Sequence, residues 1–106
     1  MKKPKRWIII NGMPKVFTEA GFEFWVYTAD HPPAHSHVIR GHKQGRGKQS
    51  EVLIFIGDEL TPPALREVRG MRKADVRRAF GIVNRRQAEL LQVWRMIYGE
   101  PTMDNQ

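Results

Sequence analysis

Three of the four histidines of this 106-residue chain fall within seven positions, as His31, His35 and His37, with Asp30 beside the first. If the segment from His35 to Arg40 is extended, His35 and His37 project to one face with their Cβ atoms about 7 Å apart. Two imidazoles so placed converge on one divalent ion, zinc or manganese, with His31 or Asp30 arriving from the preceding turn as a third ligand. The same rings also suit acid/base catalysis, one taking a proton and another giving one. With Arg40 or Lys43 holding a phosphate nearby, His31, His35 and His37 then have the means to cleave RNA through its own 2′-hydroxyl. A third reading involves no chemistry: the rings bond loop carbonyls at a strand start, and Pro32-Pro33 fixes a corner. The chain has no cysteine, so disulfides and thiolate metal sites are excluded.

The second chemical feature is charge. Lys and Arg number 18 against 11 Asp and Glu, a net charge of +7, with an isoelectric point near 10.3. Between Arg66 and Arg95 there are nine basic residues against three acidic ones, so most of the excess sits in the C-terminal part. On a helical wheel Arg77, Arg78, Arg85 and Arg95 lie opposite the apolar stripe, with Arg86 at its edge. Arg85 and Glu89 are four apart, whereas Arg77 and Arg78 have no acid at that spacing. Such a row suits phosphates, because a guanidinium bonds two oxygens at once. It equally suits an acidic protein surface, or is a solvated helix face.

The elements that must carry these residues can be read from periodicity. Phe22 to Tyr27 alternates as a strand, with Phe22, Phe24 and Val26 on one face and Trp25 and Tyr27 on the other. Asp30-His31-Pro32-Pro33 ends it, since two prolines cannot extend a ladder. A second strand is expected over His35 to Arg40, a polar loop over Gly41 to Ser50, and a third strand over Glu51 to Ile56. Trp7 to Ile10 is a short apolar strand candidate before the turn pair Asn11-Gly12. From Lys73 to Tyr98 the period becomes 3.6, placing Val76, Phe80, Val83, Leu90, Leu91, Trp94, Ile97 and Tyr98 on one stripe. Asp75 suits the helix dipole, Gly81 offers a place to bend, and Gly99 with Pro101 stops the helix. Trp25 and Tyr27 are expected to cover a helix or a dimer interface rather than to stack bases.

The fold class expected is therefore α+β: a small, mostly antiparallel sheet of three to five strands packed by one long C-terminal amphipathic helix. Residues 1–12 read as a basic extension, 13–99 as one domain and 100–106 as a tail. At 41% apolar residues, the composition is that of a globular domain. No apolar stretch approaches the roughly 20 residues of a membrane span. The apolar run after Lys2 to Arg6 is too short for an export signal, so a cytoplasmic location without membrane attachment is expected. A thin core at this length favours a homodimer or a protein partner.

Met13-Pro14, Gly21 to Tyr27, the run Asp30-His31-Pro32-Pro33-Ala34-His35-Ser36-His37-Val38, Gly70-Met71 and Trp94 together resemble a family of small bacterial proteins, domain of unknown function 4160. The resemblance covers Met13 to Gly99, and the proline-histidine run is its specific part. Ala34, Ser36 and Arg72 depart from it, standing where a second proline, an apolar residue and a Ser or Thr helix cap are usual. The Gly41 to Ser50 loop is also longer and more basic. The resemblance implies a compact α+β fold and genomic company with another small protein, pairs read as candidate toxin–antitoxin modules. It thus implies an RNA- or DNA-directed, toxin-like role with a small acidic antitoxin-like partner, and it supplies no established catalytic residue. The alternative is a binding module whose basic helix docks DNA or an acidic protein while its histidines are structural.

Overall fold

The computed structural model describes residues 15–40 and 50–99. Five strands, β1 (Lys15–Glu19), β2 (Phe22–Trp25), β3 (His35–Arg40), β4 (Ser50–Phe55) and β5 (Ala64–Arg69), precede two helices, α1 (Lys73–Arg85) and α2 (Gln87–Tyr98). The strands form one antiparallel meander in chain order, so the expected α+β class is what the chain adopts. Lys43 and the Trp7 to Asn11-Gly12 segment lie outside the described residues.

Two strands were not expected. β1 is paired to β2 through a two-residue turn, Ala20-Gly21, with positive φ at both residues (54° and 84°). That matches the twist of a tight hairpin. β5 is exposed along its whole length and carries Arg66, Glu67 and Arg69. Its register against β4, rather than its apolar content, makes it a strand, and its charges suit an edge. Gly57, just after β4, has φ +76°, and a Cβ there would clash with the Thr61 carbonyl oxygen. Only glycine fits that turn.

Alternation sorts the sheet's two faces. Phe22, Phe24, Val38, Val52 and Ile54 lie on one face and pack with Ala79, Ile82 and Val83 of α1 and Leu90, Leu91 and Trp94 of α2. The opposite face carries Trp25, His35, His37, Glu51, Leu53 and Arg69. Trp25 lies on the face opposite the core-forming one, and the Tyr27 ring stacks on His37.

The single long helix expected from the period is two helices, and the interruption falls at Arg86 rather than Gly81. Arg86 adopts φ −111°, ψ 31°, and its N–H still closes α1 on the Ile82 carbonyl at 2.8 Å. Tertiary partners hold the break. The Arg86 guanidinium bonds Glu19 at 2.8 Å and Glu89 at 2.6 Å, and lies 3.5 Å from the centre of the Phe17 ring. Gln87 Nε2 lies within donating distance of the carbonyls of Ile56, Asp58 and Thr61, pinning the start of α2 to the β4–β5 connection. Arg72, before α1, supplies no side-chain cap. Buried Asp75 instead lies 3.8 Å from Arg40 and 3.9 Å from Arg72.

Candidate metal centre

The strand places His35 and His37 on one face, as their spacing requires, and both are almost fully buried, at 2% and 7% exposure. The turn between β2 and β3 brings Asp30 over them. One Asp30 carboxylate oxygen, Oδ2, lies 3.1 Å from His35 Nε2 and 2.9 Å from His37 Nε2. All three ligand atoms fall within 4.8 Å of one another. That turn is held from α2: the Tyr98 hydroxyl donates to the Tyr27 carbonyl and accepts the Asp30 N–H at 2.9 Å. The helix end thus fixes the height of the carboxylate above the sheet.

Hydrogen bonding assigns the ring proton of His35. His35 Nδ1 is 2.9 Å from the Pro33 carbonyl oxygen, which can only accept, so Nδ1 carries the proton. Burial lowers the pKa of His35, outweighing the opposing effects of the Pro33 hydrogen bond and the Asp30 charge. That favours the neutral ring, in which Nε2 is a lone pair. It is buried with no hydrogen-bond partner, although Asp30 Oδ2 is 3.1 Å away. His37 meets carboxylates on both sides, Glu51 Oε2 at 2.8 Å from Nδ1 and Asp30 Oδ2 at 2.9 Å from Nε2. A neutral ring has one N–H. With that proton given to Glu51, Nε2 turns a second lone pair to the same carboxylate oxygen. An imidazolium at His37 satisfies both carboxylates but leaves His35 Nε2 facing Asp30 with no proton between them.

A cation among the three atoms resolves every one of these contacts. Ligands about 2.1 Å from an ion, at angles of 90–109°, lie about 3.0–3.4 Å apart; the Asp30–histidine separations are 2.9 and 3.1 Å. The other ring nitrogens are held as in established metal sites, one on a backbone carbonyl and one on a carboxylate. Glu51 is in turn 3.3 Å from Arg69. The Tyr27 ring stacks on His37 at 4.0 Å, and Trp94 packs against His35 at 5.5 Å. Burial and the Glu51 and Asp30 charges raise the Tyr27 pKa, so its hydroxyl stays protonated.

No family model, no curated protein and no solved structure matches the chain.

Of the residues singled out in the sequence, the fold brings together His35, His37 and Asp30. His31 is exposed and is not among the three. Arg40 is on the helix-bearing face, over the Phe22 ring and toward Asp75, because it is an odd number of residues from His37. It holds nothing for the histidines. Glu51, Tyr27 and Tyr98 were missed as site residues. Only register and the return of α2 place them there, although Glu51 at the head of an apolar strand was a visible anomaly.

The arginine row is divided by the tertiary structure. Arg85 bonds Glu19, and Arg95 bonds Glu59 at 2.8 Å. Glu89 pairs with Arg86 rather than with Arg85 four residues before it. Arg77 and Arg78 are exposed on α1. An apolar cavity of about 520 Å3 lies nearby, walled by Pro32, Pro33, Phe55, Leu91, Trp94 and Tyr98. None of the three candidate ligands lines it, so it is a neighbour of the centre and not the centre itself.

Proposed function

We propose that this protein binds one divalent ion through His35 Nε2, His37 Nε2 and Asp30 Oδ2, and that the centre is hydrolytic. The observation that carries this reading is the convergence of these three atoms within 4.8 Å of one another, with the buried His35 Nε2 lacking a hydrogen-bond partner. Two imidazoles and one carboxylate favour zinc over manganese. Three protein ligands leave a position for water or substrate, and a bound ion supplies Lewis acidity there. Around it, Tyr27 and Trp94 exclude bulk water from the rings, Glu51 and the Pro33 carbonyl keep both Nδ1 protons in place, and partly exposed Asp30 marks the open side. RNA cleavage, one of the readings open from the sequence, is proposed in metal-dependent form, since Arg40 faces away from the histidines.

The test is the metal content of untagged protein by elemental mass spectrometry, after exposure to zinc or manganese and desalting. Near one equivalent is expected in wild type, and almost none in a folded His35→Ala/His37→Ala variant. Less than a tenth of an equivalent in wild type, or equal retention by the folded variant, overturns the proposal. The loaded protein is then offered RNA. Stoichiometric metal without cleavage removes RNA as the substrate and leaves the ion site standing.

A further inference from the structure

Residue 81 is a glycine in the middle of an exposed helix face, where glycine lowers helix stability relative to alanine. Nothing in the fold asks for it. Its φ is ordinary, and a Cβ built there meets no atom within 4 Å. Its neighbours on the helix surface, three and four residues away, are Arg77, Arg78, Asn84 and Arg85, all exposed. The exposed face of α1 also includes Lys73 and Ala74 and carries no acidic residue. Arg77 and Arg78 have no ion-pair partner among the described residues, while Arg85 is tied at the edge of the face to Glu19 on β1.

We infer that this face of α1 is a nucleic-acid backbone site centred on Gly81. The missing side chain lets a phosphate approach the helix surface, where Arg77 and Arg78 close around it as forked donors and the Asn84 amide adds a hydrogen bond. The face has no aromatic residue to stack a base and no large apolar residue to enter a bilayer. It therefore reads phosphates and not sequence. It projects away from the sheet, whose far side holds the metal centre, so the two sites act on different parts of a bound strand or independently.

Binding of fluorescein-labelled 20-base-pair RNA and DNA duplexes of arbitrary sequence, followed by anisotropy between 50 and 200 mM salt, tests this. Wild type is expected to bind at least one of them. For DNA, Arg77→Ala/Arg78→Ala is expected to flatten the log–log salt slope by about 1.8, two contacts at about 0.9 each. Gly81→Ala is expected to raise the melting temperature, Gly81→Leu to weaken binding at least tenfold, and both to stay folded. Wild-type affinity in the Gly81→Leu and double-arginine variants overturns the assignment. So does binding to vesicles of anionic phospholipid, or to an acidic protein, with neither duplex bound.

Discussion

At His37 the two ring nitrogens have different work, and the residue that separates them is Glu51. Its carboxylate lies 2.8 Å from Nδ1, and a proton held there leaves Nε2 for the proposed ion. Arg69, 3.3 Å beyond, orients Glu51 from the edge strand. Glu51→Gln keeps the shape but loses the charge, and its amide can present a donor to Nδ1. Zinc affinity measured by chelator competition is expected to drop by about 10–100-fold with stoichiometry unchanged. An unchanged affinity means Glu51 is a bystander.

Among the elements, the junction between α1 and α2 is the point where β1, the helices and the β4–β5 connection meet. Arg86 is its centre, bonded to Glu19 and Glu89 and stacked on Phe17. Exposed ion pairs add little to stability; the ring stack, at 25% side-chain exposure of Arg86, is the larger contribution. Arg86→Ala is expected to cost about 1–2 kcal/mol, read from urea unfolding with an unchanged slope. If the variant unfolds at the wild-type midpoint, the break in the helix is held by Gln87 and backbone alone. The junction also explains why Gly81 was the wrong place to expect a bend. A glycine permits a bend, but side chains anchored in other elements impose one.

Over the described residues as a whole, most arginines are paired with carboxylates. Arg95 holds the Glu59 pKa down to about 2, and arginines likewise lower Glu19, Glu67 and Glu89. Each of these carboxylates is more acidic folded than unfolded. Their contribution is therefore complete above the ordinary value of 4.5 and is lost as pH falls below it. The melting temperature is expected to decline from about pH 4.5 towards pH 2, and less steeply in Glu59→Gln and in high salt. Parallel decline in wild type and Glu59→Gln removes this pair from the account. Among the described residues no helix is long and apolar enough to cross a membrane.

The sequence by itself determined those features that depend on local period. Alternation put His35 and His37 on one face and the 3.6-residue stripe drew the apolar side of both helices, whereas β2 stops at Trp25, well before the prolines. The first two follow from backbone geometry within a few residues. It also held Asp30 as a candidate third ligand but could not choose it over His31, because that choice depends on how Tyr98, 68 residues away, pulls the turn down. Glu51 beside His37, Arg40 turned away from it, β5 as a strand and the division of the arginine row each rest on partners from distant segments. Register and packing select those partners, and neither is written in the spacing of neighbouring residues.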